Sequence, residues 1–216
     1  MKQYQKDFID FLVRSGALLF GDFTTKSGRK TPYFINTGKF DDGAKIAGIG
    51  GFYADHILSS GLDKVDVIFG PAYKGIPLCV TTASALAAKG RNIGFAFNRK
   101  EVKDHGDKGM IVGKALKDGD RLLLVEDVIT AGTTMREVLP LLASLGKIVV
   151  SGVVIAVDRR EKGTGSLSAV QEAEQAHGIK VHPVVTIHDI LEHLGPTLKA
   201  DDLVRAKEYL KTYGVD

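Results

Sequence analysis

The feature that most narrows what this chain can fold into is residues 121–134, Arg-Leu-Leu-Leu-Val-Glu-Asp-Val-Ile-Thr-Ala-Gly-Thr-Thr. The unbroken apolar run Leu122-Leu123-Leu124-Val125 suits a strand covered on both faces of a parallel sheet. Two carboxylates, Glu126 and Asp127, follow it at once. Next come Val128, Ile129 and a loop of small and hydroxyl residues, Thr130-Ala131-Gly132-Thr133-Thr134, which opens a helix near Met135. Backbone amides and hydroxyls in such a loop, with the positive end of a helix dipole behind them, make a cradle for a phosphate. The cradle is not a nucleotide P-loop, because Gly-x-x-x-x-Gly-Lys-Ser/Thr is absent and no lysine follows Gly132. Carboxylates repel a phosphate, so Glu126 and Asp127 must face sugar hydroxyls or a cation. A ribose carrying a 5-phosphate satisfies both halves, with its diol on the acidic pair and its phosphate in the loop. The plain alternative is an ordinary strand-to-helix turn whose acidic residues cap the helix.

The rest of the chain supplies more units of the same kind. Tyr4, Phe8, Phe11 and Leu12 recur at helical spacing, which predicts a helix over 2–15 that stops at Gly16. Residues 20–36 read as a hairpin around the turn Ser27-Gly28-Arg29, with Pro32 acceptable only at a sheet edge. Lys26 stands just before that turn and Phe34-Ile35 lie in the returning strand, so a cation and an apolar pair could flank one pocket; a lysine beside a turn is more often simply solvated. The pattern then predicts a helix over 42–60, a strand over 65–69 and a helix over 77–89. Between the last two, Gly70-Pro71-Ala72-Tyr73-Lys74-Gly75 offers amides and a lysine that suit a second anion such as pyrophosphate. A strand over 92–97 runs into 98–109, a segment with many charges, two glycines and almost no apolar residue, which composition alone makes mobile. After the central motif, a helix to about 145, a strand over 148–157, a helix over 166–177, a strand over 180–186 and helices over 188–194 and 200–212 complete the pattern. Asp158-Arg159-Arg160-Glu161 ends the long strand; an arginine there could fork onto a ligand carboxylate, although a salt bridge to Asp158 or Glu161 is the more ordinary outcome. Strands alternating with helices imply a mainly parallel sheet with helices on both faces.

At 216 residues the chain is long enough for a single well-buried α/β domain, 1–216, with a small N-terminal hood of helix and hairpin over about 1–40. No apolar run is long enough to span a bilayer, and the first residues lack the apolar core of a secretory signal, so cytoplasm is the default location. The single cysteine, Cys79, sits between apolar neighbours and reads as buried and inert. A net charge of +3 is too small to argue for nucleic acid, and basic residues gathered near a few loops point to a small polyanion instead. His56, His177, His182, His188 and His193 form no metal-ligand pattern.

The central motif resembles the phosphoribosyl pyrophosphate (PRPP) motif of type I phosphoribosyltransferases. Arg99-Lys100, Lys103 and His105-Gly106 resemble the catalytic loop of orotate phosphoribosyltransferases in particular, and Thr25-Lys26-Ser27-Gly28, Pro32-Tyr33-Phe34-Ile35, Gly70–Gly75 and Asp158-Arg159 fit the same family. The resemblance covers the chain from the hairpin to about residue 195. It implies the joining of orotate to PRPP to give orotidine 5′-phosphate and pyrophosphate, on the route to UMP. By matching position it implies that Lys26, Phe34, Ile35, Thr130 and Arg159 line the orotate side, with Arg160 left open as the alternative to Arg159. It further implies that Lys26, Tyr73, Lys74, Arg99, Lys100, Lys103 and His105 serve PRPP and its pyrophosphate. Glu126 and Asp127 then hold the ribose, Thr130, Ala131, Gly132, Thr133 and Thr134 take the 5-phosphate, Val128 and Ile129 also belong to the PRPP site, and catalysis falls to Arg99, Lys100, Lys103, His105 and Asp127. Mg²⁺ held mainly by substrate, with no direct protein ligand, is the implied cofactor, since the sequence offers no carboxylate cage. A homodimer that shares the 99–109 loop between subunits is the implied assembly, with no nucleic acid or membrane partner. A purine phosphoribosyltransferase should lack the hairpin and basic loop, and a non-catalytic PRPP-binding regulator that binds nucleic acid should carry a basic stripe that is missing here.

Loss of pyrophosphate from ribose C1 builds negative charge on the leaving group, so cations placed where that charge appears lower the barrier. Replacing one such donor costs about 2.7–4 kcal/mol, roughly a hundred- to a thousandfold in rate. Lys103→Ala should therefore reduce kcat by that order while PRPP binding changes far less. Steady-state kinetics with an unchanged kcat would remove Lys103 from the mechanism.

Overall fold

The computed structural model describes residues 1–25, 28–101, 109–129, 132–163 and 165–215. The chain opens with α1 (Gln3–Arg14), which buries Phe8, Ile9 and Leu12 on one face. An antiparallel hairpin follows, β1 (Leu18–Thr24) and β2 (Lys30–Ile35), pairing Leu18 with Ile35 and Phe20 with Tyr33. The register then slips, so that Gly21 and Asp22 face Pro32 before Phe23 meets Thr31. Two residues against one is a bulge, and it absorbs a proline that cannot donate to the ladder. Helix α2 (Gly43–Ser59) begins at Asp42, whose side chain accepts a hydrogen bond from the Lys45 amide at 2.8 Å.

The repeating strand and helix units come next, in the order β3 (Val67–Gly70), α3 (Gly75–Ala88), β4 (Gly94–Asn98), β5 (Ile111–Gly113), β6 (Arg121–Glu126), α4 (Thr133–Ser144), β7 (Val149–Asp158), α5 (Ala169–His177), β8 (Val181–Thr186), α6 (Ile187–Leu194) and α7 (Ala200–Tyr213). In space the strands run β5-β4-β3-β6-β7-β8, parallel except for β5. This is the mainly parallel α/β sheet that the alternating pattern predicts, preceded in the chain by the helix and the small antiparallel hairpin.

The sheet is apolar on both faces. Ile68, Leu123, Val125, Val154 and Ala156 pack into one core with α1, α2, α3 and the C-terminal helices. Phe69, Leu122, Leu124, Val153 and Ile155 pack into a second with Met135, Val138 and Leu142 of α4 and Val170 and Ala173 of α5. Alternate residues of one strand therefore feed opposite cores, which explains why Leu122–Val125 carries no polar residue.

Four departures from the sequence reading have local causes. Strand β5 is too short for its periodicity to be read, yet it returns antiparallel to β4 and pairs Asn98 with Ile111. Asn98, grouped by composition with the charged segment, is instead the last residue of β4 and is buried. Helix α3 starts at Gly75 rather than 77, because Pro77 falls in the first turn, where its missing N–H has no helical partner to lose. Helix α5 starts at Ala169 because Ser168 and Gln171 cap each other reciprocally, at 3.1 and 2.8 Å.

Helices α2 and α3 touch backbone to backbone. A Cβ added at Gly50 would lie 2.5 Å from the Thr81 hydroxyl and 2.8 Å from its carbonyl carbon. Gly50→Val should therefore force the two helices apart and cost about 1–3 kcal/mol, the usual range for overpacking. Chemical denaturation reads this directly, and an unchanged midpoint would disprove the close packing.

Candidate active site at the switch point of the sheet

Strand β3 lies between β4 and β6, and from this point the strand order runs outward in both directions. The loops leaving β3 and β6 diverge above neighbouring strand ends, which is where open parallel sheets hold ligands. Pairing of Phe69 with Leu124 sets the two strand ends level.

The loop after β3 is closed at its base by two glycines. A Cβ on Gly70 would fall 2.0 Å from the Gly75 carbonyl oxygen, and one on Gly75 would fall 2.8 Å from the Gly70 carbonyl carbon. Only glycine lets the loop's ends meet this closely. Asn98, at the end of the adjacent β4, accepts a hydrogen bond from the Ala72 amide at 2.9 Å and donates to the Arg99 carbonyl at 3.2 Å. The Ala72–Tyr73 peptide is cis, Tyr73 is 69% exposed, and Lys74 reaches across to the next loop.

There it meets Asp127. The Lys74 Nζ lies 2.7 Å from Asp127 Oδ2, and the Thr37 hydroxyl donates to the same oxygen at 2.6 Å. The Val128 amide donates to Oδ1 at 2.8 Å. Burial works to raise the pKa of Asp127, but Lys74, Thr37 and the Val128 amide outweigh it and hold the carboxyl below its usual range. Glu126 has no such cation. Burial, and then the charge of Asp127, push it up to about 7. Its backbone is held by the buried Tyr53, whose hydroxyl donates to the Glu126 carbonyl at 2.7 Å. Adjacent carboxylates are thus driven in opposite directions, one kept charged and one poised near neutrality.

Beyond them, Val128 and Ile129 are half-buried, Ile129 against the second core. Gly132 takes a left-handed conformation, φ 62°, and α4 begins at the next residue. Thr133 and Thr134 form its first turn, whose amides have no helical partner. Pro71, Glu126, Gly132 and Thr134 help to line a cavity of about 60 Å³ floored by Leu124, Met135 and Val153. Of the predicted cradle, Thr130 and Ala131 lie outside the described residues.

A second group gathers at the hairpin. Arg159 stacks on the Tyr33 ring, its guanidinium carbon 5.1 Å from the centroid. Its Nε and Nη2 donate to Glu161 Oε1 at 3.0 and 2.7 Å. Arg160 turns away with φ 51° and pairs with Asp158 at 3.2 Å. Both arginines therefore form the salt bridges expected from pattern, and Arg159 is the one that reaches the hairpin. Phe34 is half-exposed and stacks on Phe23 at 5.5 Å, while Ile35 packs against the first core. Lys26 lies outside the described residues.

The charged segment is tied at its base, where the Arg99 amide donates to the Met110 carbonyl at 2.8 Å and its Nη1 to the Gly109 carbonyl at 2.8 Å. Lys100 pairs with Glu137 of α4 at 2.6 Å. Lys103 and His105 lie outside the described residues, as does the mobility read for residues 102–108. Sequence reasoning missed Thr37, Tyr53 and Asn98. Only Asn98, a polar residue closing an apolar strand, left a readable signal.

Comparison with known proteins agrees with this geometry. Residues 37–170 match the phosphoribosyl transferase domain. The chain is 47% identical to the orotate phosphoribosyltransferase of Clostridium beijerinckii over 99% of both chains. It is 51% identical to that of Nitrosococcus oceani, over 100% of this chain and 98% of the relative. The crystal structure of orotate phosphoribosyltransferase from Francisella tularensis superposes with a TM-score of 0.87 at 37% identity, covering 97% of this chain and 100% of that one. Fold and site together define a phosphoribosyltransferase. Within that class, the chain belongs to the orotate phosphoribosyltransferase family.

The raised pKa of Glu126 has a stability consequence. Between its ordinary value of 4.5 and about 7 the folded state binds a proton that the unfolded state has released. Unfolding then releases a proton, so this group's contribution falls as pH rises through that window. Glu126→Gln should lose this component of the pH dependence while the fold is kept. Thermal melts between those pH values that show the same slope for both proteins would refute the shift.

Proposed function

We propose that this chain transfers the 5-phosphoribosyl group of PRPP to a ring nitrogen of orotate, giving orotidine 5′-phosphate and pyrophosphate in the de novo route to UMP, as a single domain spanning 1–216. The observation that carries the reading is the Lys74 to Asp127 contact of 2.7 Å, which brings a cation from one anion-binding loop to the carboxylate of the other. Lys74 is 65% exposed along its side chain, so it can turn from Asp127 to an entering pyrophosphate. Asp127, charged and fixed by Thr37 and the Val128 amide, then takes ribose hydroxyls as donors. Gly132, Thr133, Thr134 and the neighbouring Thr130 and Ala131 receive the 5-phosphate at the start of α4, and Val128 and Ile129 wall the sugar.

On the base side Arg159 meets the carboxylate of orotate, with Lys26, Phe34, Ile35 and Thr130 around the ring. Tyr73 and Lys74 flank the pyrophosphate. As the bond from ribose C1 to the pyrophosphate oxygen breaks, negative charge grows on the leaving group, and Arg99, Lys100, Lys103 and His105 supply the cations to match it. Closing this segment over the substrates keeps out water that would otherwise hydrolyse PRPP.

Among the described residues no group of three or more histidine, cysteine or acidic side chains is arranged to hold a metal. In this reading Mg²⁺ is carried on substrate phosphates and water, with no direct protein ligand. When bound it offsets phosphate charge. The active form in this reading is a cytoplasmic homodimer, with residues 99–109 of one subunit reaching the neighbour's site.

Incubating the protein with PRPP, Mg²⁺ and each of orotate, adenine, guanine and xanthine tests the assignment. Pyrophosphate should appear with orotate alone. Release with a purine, or none with orotate, would overturn it.

A further inference from the structure

We infer that Glu161 is a positioning residue of the orotate pocket, gripping one edge of Arg159 so that the other edge is presented to the substrate's carboxylate. This rests on the reading above, in which Arg159 meets orotate. The Glu161 side chain is only 12% exposed, yet it gathers donors from distant parts of the chain. Its Oε1 accepts from the Tyr33 hydroxyl at 2.5 Å and from Arg159 Nε and Nη2 at 3.0 and 2.7 Å. Its Oε2 accepts from the Tyr209 hydroxyl at 3.0 Å and lies 3.8 Å from Arg29 Nη1. Strand β2, the hairpin's far end, the segment after β7 and helix α7 thus converge on one carboxylate.

The use made of the Arg159 donors is uneven. Nε and Nη2 are spent on Glu161, with Nη2 also reaching the Thr31 hydroxyl at 3.4 Å, and the plane of the group is set by Tyr33 below it. Nη1 makes no hydrogen bond among the described residues. A guanidinium held in one orientation with Nη1 unspent is prepared for a substrate carboxylate, and it loses little side-chain freedom when the ligand arrives. Without Glu161 the same half-buried group would lose its charged partner and be free to turn toward other acceptors.

The C-terminal helix belongs to this device. The Lys162 amide donates to the Tyr213 carbonyl and the Val215 amide to the Arg160 carbonyl, both at 2.8 Å, so the end of α7 is stitched to the segment that carries Arg159 and Glu161. Tyr209 then fixes the carboxylate from that side.

Steady-state kinetics of Glu161→Gln, Tyr209→Phe and Arg159→Ala, varying orotate and PRPP separately, test the proposal. Glu161→Gln keeps the shape and one acceptor oxygen but removes the charge. It should raise the KM for orotate by roughly ten- to a hundredfold, the size of one lost charge-assisted hydrogen bond, and leave the KM for PRPP near its original value. Tyr209→Phe should show the same split more weakly. Parallel changes in both KM values and kcat, accompanied by a lower melting temperature, would mean that Glu161 only supports the fold and would overturn the proposal. An unchanged KM for orotate in Glu161→Gln while Arg159→Ala raises it would also overturn the positioning role. An unchanged KM for orotate in Arg159→Ala would instead remove the Arg159 assignment beneath it. Should Glu161→Gln fail to fold, an unchanged KM for orotate in Tyr209→Phe decides against the proposal.

Discussion

The site depends on keeping one largely buried carboxylate charged. Asp127 directly follows a strand buried on both faces and is itself only 6% exposed. A lone ionised carboxyl in that position would be neutralised by protonation. Lys74, Thr37 and the Val128 amide prevent this, and each comes from a different segment: the loop after β3, the turn after β2 and the motif itself. Charge compensation therefore does two things at once. It keeps Asp127 ionised, and it fastens those three segments together. Glu126, one residue earlier and without a cation, drifts toward the neutral form. Neighbours in sequence acquire different protonation because their side chains enter different surroundings.

Holding such a pair requires a stiff support. Two apolar cores grip opposite faces of the sheet, and the strand ends from which the loops depart are level. The loop after β3 cannot widen at its base, because Gly70 and Gly75 are in direct backbone contact. Its middle is held by Asn98 from the adjacent strand. The loop after β3 is thus held both at its feet and at its middle.

The same solution recurs around Glu161. Here the carboxylate is the hub and the cation, Arg159, is the group being aimed, with Tyr33 and Tyr209 completing the set of donors. In both places a buried carboxylate is held by a cation and by hydroxyl donors from distant segments, which fixes the geometry of the pair. A functional side chain held this way starts in one orientation and loses little freedom when it engages a ligand.

What could be read from residues alone was whatever depends on local order. Leu122–Val125 read as a doubly covered strand with two carboxylates and a small-residue loop leaving its end, and the alternation of strands and helices implied the parallel sheet. Strand β5 escaped because three residues carry no period, and Asn98 was misplaced because its neighbours in sequence are charged while its neighbours in space are the loop after β3. Thr37 and Tyr53 carry no motif at all; their roles arise only when helix α2 and the turn after β2 fold against the motif. Composition likewise left Arg159 and Arg160 equivalent, and it was the backbone, turning Arg160 to Asp158 and Arg159 to the hairpin, that separated them. Periodicity and local chemistry act over a few residues and are written along the chain, whereas hydrogen bonds such as Thr37 to Asp127 or Tyr209 to Glu161 join segments that only packing brings within reach.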